Sequence, residues 1–183
     1  GLEDRIKVNQ PIDKITSVAS FFLSRIDVLT DPLLDGRHLY NFKGEVAIAS
    51  AKKAYEMYKN IFGNERFKAL EAKGAKRQHV LWASTSSKDA SYSDVKYVEA
   101  LIGNETINTL PLKTINAFKD HGHATNSLEN DLDKATSVLA QLNNSGLDIN
   151  IITQKLEDEG IEKFNKAYKV LLKTIENKTM QVV

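Results

Sequence analysis

Three short, nearly unbroken apolar runs stand at residues 17–23 (SVASFFL), 80–84 (VLWAS) and 107–110 (INTL). Continuous rather than alternating apolarity predicts strands covered on both faces, as in parallel sheets. Between the first two runs, Ala47, Ala51, Ala54, Tyr58 and Ile61 recur at three- and four-residue steps. That spacing puts them on one face of a helix and predicts a crossover helix. Between the second and third runs, Val95, Val98 and Leu101 repeat the pattern after a possible cap at Ser93-Asp94, and Gly103 follows as a stop. The order β-α-β-α-β is that of a parallel α/β sheet. From Pro111 onward no strand signal returns. Leu132, Ala135, Leu139 and Leu142 form one apolar stripe, ending near Asn144-Ser145-Gly146, and Ile161, Phe164, Tyr168, Leu171 and Ile175 form another. A helical tail is therefore expected over about residues 112–180. No internal repeat, low-complexity segment or long linker interrupts the chain, so residues 1–183 are expected to belong to one domain.

Composition narrows the picture mainly by exclusion. The 183 residues are 42% apolar and 27% charged, and 25 basic against 24 acidic side chains leave a formal charge of +1. The two signs interleave, which argues against nucleic acid or an anionic membrane surface as partner. No apolar run approaches the roughly 20 residues of a membrane span, no signal-peptide core opens the chain, and a soluble, cytoplasmic protein is expected. With no cysteine, thiol chemistry and thiolate metal sites are excluded. The chain opens on Gly1, inside a polar helix-like stretch at residues 2–8 without the usual cap, so it is expected to be entered midway.

Ligands of parallel α/β folds bind at the carboxyl ends of strands, so residues just after each run carry the candidate chemistry. After the first run comes Ser24-Arg25-Ile26-Asp27, where the Arg25 fork suits a phosphate; pairing of Arg25 with Asp27 or Asp31 is the competing expectation. Ser20, Phe22 and Ser24 share a strand face by the two-residue period. After the second run comes Ser84-Thr85-Ser86-Ser87-Lys88, either a phosphate cradle of hydroxyls, backbone N–H groups and an ammonium, or an ordinary capping loop. His121-Gly122-His123 falls short of a metal-ligand set, and no metal site is expected. His38 and His79 are isolated, the Lys73 to Arg77 cluster precedes a strand, and Glu157-Asp158-Glu159 reads as a solvated helix face. Phosphate-loop, dinucleotide and nucleophile-elbow motifs do not occur.

At these same segments the sequence resembles the transaldolase family. Residues 17–27 (SVASFFLSRID) resemble its sixth barrel strand and following loop. Residues 80–94 (VLWASTSSKDASYSD) resemble its seventh, and residues 107–111 (INTLP) its eighth. The resemblance implies the C-terminal part of a (β/α)8 TIM barrel, contributing three parallel strands with flanking helices. It implies a transferase of the pentose phosphate pathway that moves a dihydroxyacetone unit from a ketose phosphate to an aldose phosphate. The Schiff base would form on a Lys in the fourth strand, and proton transfer would use an Asp and a Glu on the first and third; none of these strands lies in this chain. Lys7 and Lys14 do not match the Lys-bearing motif, so no catalytic residue is assigned here.

What carries over by residue is the phosphate half of the site. Ser20, Phe22 and Arg25 match the family's sixth-strand serine, its aromatic beside the reacting centre and its phosphate-binding arginine, and Ser84 matches the serine after the seventh strand. Ser86 stands where much of the family has a second arginine, and Lys88, two residues on, is expected to supply that charge as a point cation. The resemblance further implies no cofactor, sugar phosphates as ligands, the rest of the barrel or another copy of the chain (a homo-oligomer) as covering partner, and no transfer activity from this chain alone. Two other readings compete: a non-enzymatic α/β interaction module, and a related class I sugar-phosphate aldolase.

Overall fold

The apolar runs become three strands: β1 (Val18–Phe22), β2 (His79–Ala83) and β3 (Thr106–Asn108). In the computed structural model, which describes residues 1–180, they form one parallel sheet in the order β1-β2-β3. The register sets Ser20 beside Leu81 and Ile107 beside Leu81 from the other side. β2 stops one residue early because Ser84 turns to a left-handed φ of 56°. β3 ends before Pro111, which has no N–H to offer a ladder.

Coverage of both sheet faces is not what the structure shows. Side chains alternate along a strand, and on one side Val80 and Trp82 are buried, Trp82 to 1% exposure, with Ala19 exposed at the β1 edge. On the opposite side Val18, Ser20, Phe22 and Ile107 are exposed, Phe22 at 46%. Three strands supply covering helices for one face only.

The first crossover holds three helices rather than one: α1 (Leu2–Lys7) precedes β1, and α2 (Ser24–Asp35), α3 (Val46–Gly63) and α4 (Glu65–Glu71) follow it. α3 buries Ala47, Ala51 and Tyr58 as the periodicity predicts, together with Tyr55; Ala54 is half-buried and Ile61 is exposed. The helical period carries the buried line through 47, 51, 55 and 58, leaving 54 and 61 to one side. α4 starts where the Asn64 side chain accepts from Phe67 N–H at 2.9 Å, an N-cap. Phe67 packs with Ile12 and Ala75, flanked by Leu2 and Ile6 of α1 and by Phe62 and Leu70.

Residues 24–27, expected as a loop, are instead the first turn of α2. Its buried positions are Ser24, Ile26, Asp27, Thr30, Asp31 and Leu34. Four of these six are polar, so the inward face leaves no apolar stripe to read. The second crossover departs the other way. Val95, Val98 and Leu101 are all buried, but helix α5 is a single turn, Lys96–Glu99. Upstream, Asp89 Oδ1 accepts from Ser91 N–H at 2.8 Å and Ser91 Oγ at 2.7 Å, a local turn that competes with helix. Gly103 closes the segment where a Cβ would come within 2.7 Å of Leu128 Cβ.

The tail is helical: α6 (Leu112–His121), α7 (Leu132–Asn144) and α8 (Ile149–Met180). The chain divides into two units, the second beginning at Leu142. In the first, α7 buries Ala135 and Val138, with Leu132 and Leu139 half-buried. In the second, Gly146 at φ 78° ends α7 as its own N–H and that of Leu147 bond Asn143 and Leu142 carbonyls. The α8 stripe, Ile161, Phe164, Tyr168, Leu171 and Ile175, is exposed throughout. Among the described residues no helix is long and apolar enough to cross a membrane.

Candidate functional site

Three segments meet at the carboxyl end of the sheet, and hydrogen bonds beyond the strands hold them together. Leu23 N–H donates to the Ala83 carbonyl at 3.0 Å and Ser24 N–H to the Ser84 carbonyl at 3.1 Å, carrying the β1–β2 ladder into the first turn of α2. Thr109 N–H donates to the Trp82 carbonyl at 2.9 Å, and the buried Thr85 hydroxyl donates to the Thr109 carbonyl at 3.1 Å. Ser24 Oγ and Ser84 Oγ lie 3.0 Å apart. The N-terminus of α2, where the helix dipole is positive, thus touches the turn after β2.

Ser84 is held at φ 56°. For a residue with a Cβ, that conformation costs about 1–2 kcal/mol and persists only where surrounding contacts enforce it. Here the Ser24 contacts, one backbone and one hydroxyl, do so.

Arg25 is the second residue of α2 and exposed, with its guanidinium carbon 5.3 Å from the Phe22 ring centroid. An exposed cation–π contact is worth only about 0.5–1 kcal/mol, less than a charge-assisted bond to an anion. The competing expectation, an ion pair with Asp27 or Asp31, does not form, because both carboxylates are committed elsewhere. Asp27 accepts from Ala47 N–H at 2.8 Å and Tyr97 OH at 2.7 Å. Asp31 accepts from Gly44 N–H at 2.8 Å and Tyr92 OH at 2.7 Å.

The other expected residues divide. Ser20 and Phe22 lie on the open face of β1. Ser86 is half-buried and accepts from Lys88 Nζ at 2.7 Å. Lys88 also lines a cavity of about 430 Å³ with Asp27, Asp31, Asp35, Asp89 and Lys43. The structure therefore brings Arg25 and Ser84 to one end of the sheet, and places the Lys88 ammonium beside Ser86 at the rim of an acidic hollow.

Burial pushes the Asp27 carboxyl up to about 6, against the two hydrogen bonds from Tyr97 and Ala47 that favour its ionised form. From the usual 3.8 that is about 3 kcal/mol in favour of the neutral acid, so desolvation outweighs the partners. The same burial, with the neighbouring carboxylate, raises the Tyr97 hydroxyl. The histidines are engaged in local contacts: His79 with the Glu105 carbonyl, His38 with Tyr40, His121 with Asp94 and Asp120, and His123 with Glu99.

A family model described as "Transaldolase/Fructose-6-phosphate aldolase" matches residues 6–175 of this chain. The chain belongs to that family. It is 46% identical over 195 aligned residues to a transaldolase of Trichodesmium erythraeum, covering 100% of this chain and 51% of that protein. Transaldolase 2 of Nostoc punctiforme is 42% identical over 192 residues (97% of this chain, 50% of that protein), and a transaldolase of Thiobacillus denitrificans is 41% identical over 178 (96% and 50%). The chain spans about half the length of these curated relatives.

Within this transaldolase-family chain, Tyr92 and Tyr97 are residues that the sequence did not single out, and Asp27 and Asp31 were expected only as ion-pair partners of Arg25. The sequence did carry one signal, two aspartates four residues apart, which share a helix face; that face became visible only once residues 24–35 were known to be helical. Lys52 was also missed. It is the one buried lysine among the described residues, donating to the Ser127 carbonyl at 3.0 Å and to the Asn130 carbonyl. Burial lowers its pKa.

Proposed function

We infer that this chain carries the phosphate-binding part of a transaldolase, the enzyme that moves a dihydroxyacetone unit from a ketose phosphate to an aldose phosphate through a Lys Schiff base. The observation that carries the reading is the contact of the α2 N-terminus with Ser84, which puts the Arg25 helix and the hydroxyl-rich turn after β2 at one end of the sheet. There a helix N-terminus, a guanidinium without a carboxylate partner among the described residues and a serine in an enforced left-handed turn suit a phosphate dianion. Ser20 and Phe22 extend from this point along the open face, where the carbon chain of a sugar would lie. Lys88 is placed at the rim as the second cation, reaching the phosphate by leaving Ser86.

The nucleophile belongs outside residues 1–183. None of the three strands contains a Lys, and the buried Lys52 gives its protons to two backbone carbonyls. The open face and the two edge strands are then where the rest of an eight-stranded barrel covers this part. Transfer is favoured over simple aldol cleavage by the relatives, each named transaldolase, although the family description includes both activities.

The test is binding and trapping. Fructose 6-phosphate should bind the chain more tightly than fructose, and Arg25→Ala should abolish that difference. Borohydride added with the ketose phosphate should leave no covalent adduct on residues 1–183. An adduct on Lys52 or any other single lysine would overturn the assignment of the nucleophile; equal affinity for the two sugars would overturn the phosphate site.

A further inference from the structure

Asp27 and Asp31 stand one turn apart on α2, and each carboxylate joins the same three segments. One oxygen takes a backbone N–H at the start of α3 or just before it, Ala47 for Asp27 and Gly44 for Asp31. The other takes a tyrosine hydroxyl from the crossover that begins at Ser84, Tyr97 for Asp27 and Tyr92 for Asp31, both at 2.7 Å. Asp27 and Tyr97 are each 1% exposed. Packing around the outer strut is tight: Gly44 sits at φ 70°, and a Cβ there would come within 2.7 Å of the Tyr92 ring. Lys96 Nζ lies on the Tyr92 ring, 3.8 Å from its centroid.

Each carboxylate is bonded to two different segments, which opposes rotation of α2 about its own axis, and a second such point one turn away also opposes its tilt. Arg25 is two residues before Asp27, so it lies on the far side of α2, about 200° around. At the roughly 5–6 Å radius of a helix with its side chains, a rotation of about 20° would shift the Arg25 side chain by ~2 Å. Misplacement of about 1 Å can cost on the order of a hundredfold where geometry matters. The tyrosines come from the same crossover as Ser84, Ser86 and Lys88. Their hydroxyls therefore join the helix bearing Arg25 to the segment bearing Ser84 from behind, in addition to the direct Ser24–Ser84 contacts.

We propose that Tyr97 and Tyr92, through Asp27 and Asp31, are positioning residues that hold the Arg25 helix at the spacing from the Ser84 turn that a sugar phosphate requires. The proposal rests on the phosphate-site reading above and adds the residues that build the site from behind. Neither tyrosine touches the ligand; each acts through α2.

The test is a double-mutant cycle on the full chain, with affinities for inorganic phosphate, fructose 6-phosphate and fructose measured by titration calorimetry or NMR well below the melting temperature. Tyr97→Phe keeps the ring and removes only the strut. It should weaken both phosphorylated probes about three- to tenfold, leave fructose unchanged, and have no further effect in an Arg25→Ala background. Tyr92→Phe, at a less buried strut, should do the same to a smaller degree and serves if Tyr97→Phe does not fold. If Tyr97→Phe and Tyr92→Phe lower the melting temperature but leave phosphate affinity unchanged while Arg25→Ala weakens it, the struts only hold the fold and the positioning role is overturned. If Arg25→Ala itself leaves phosphate affinity unchanged, the anion site is wrong and the positioning role falls with it. Additive losses in the double variant would equally overturn a role exerted through Arg25.

Discussion

The two faces of the sheet come from the same three strands yet have opposite fates. On one, Val80 and Trp82 are buried with the inward residues of α2 and α3; on the other, Val18, Phe22 and Ile107 stand exposed beside Ser20. Apolar content does not separate them, since Phe22 is as hydrophobic as its neighbours across the sheet. What separates them is whether the crossovers within this chain supply helices to cover that side. The covered face holds the structure, and the open one carries the residues proposed to meet a sugar.

The largest expected effect tests the covered face. Trp82→Ala removes a side chain at 1% exposure and should cost about 3–5 kcal/mol of unfolding free energy, read from urea denaturation. A loss under about 1 kcal/mol would mean that this face is not a packed core.

Next comes the polar part of the covered side. Burial raises the Asp27 carboxyl from 3.8 to about 6, so between those pH values the folded protein holds a proton that the unfolded chain has released. Stability contributed by this group therefore falls as pH rises from about 4 to 6 and is level above that. The span is about 3 kcal/mol at most. Asp27→Asn should remove it, so the wild-type minus variant difference, followed by denaturation across this window, should decline with pH. A flat difference would show that the hydrogen bonds from Tyr97 and Ala47 offset the burial.

A smaller effect is expected at the end of the sheet that joins the two faces. Arg25→Ala should weaken a phosphorylated sugar about tenfold or more, roughly 1.4 kcal/mol, while lowering unfolding free energy by no more than about 1 kcal/mol, the worth of its exposed contact with Phe22. In the transaldolase proposed above, the loss should fall mainly on KM, phosphate binding far from the reacting carbon being largely uniform.

The smallest expected effect belongs to the open face. Phe22→Ala should cost under about 1 kcal/mol in this chain, against the several expected for Trp82. If the rest of a barrel covers that face, as proposed, the same substitution should cost more there. Equal costs for Phe22 and Trp82 here would erase the distinction between the faces.

Much of this was legible from local pattern. The strands fall within two residues of the apolar runs, α3 buries most of its predicted stripe, and the segment with Ser84 stands at the carboxyl end of β2 as a parallel α/β reading requires. α2 was not legible, because a helix whose inward face is Ser24, Asp27, Thr30 and Asp31 has no apolar period to detect. Nor did periodicity separate α3 from α8. Both carry regular apolar stripes, yet Ala47, Ala51 and Tyr58 are buried while Ile161, Phe164 and Tyr168 are exposed.

Sequence alone determined the three strands, the apolar stripes of α3, α7 and α8, the parallel order and the family resemblance, because each of these is written in spacing along the chain or in contiguous motifs. Tertiary structure decided which faces are covered and which aspartates are buried. Asp27 meets Tyr97 across 70 residues and Asp31 meets Tyr92 across 61. A buried, paired aspartate has the same letters around it as a solvated one; only the folded chain brings its hydrogen-bond donors and its loss of water together.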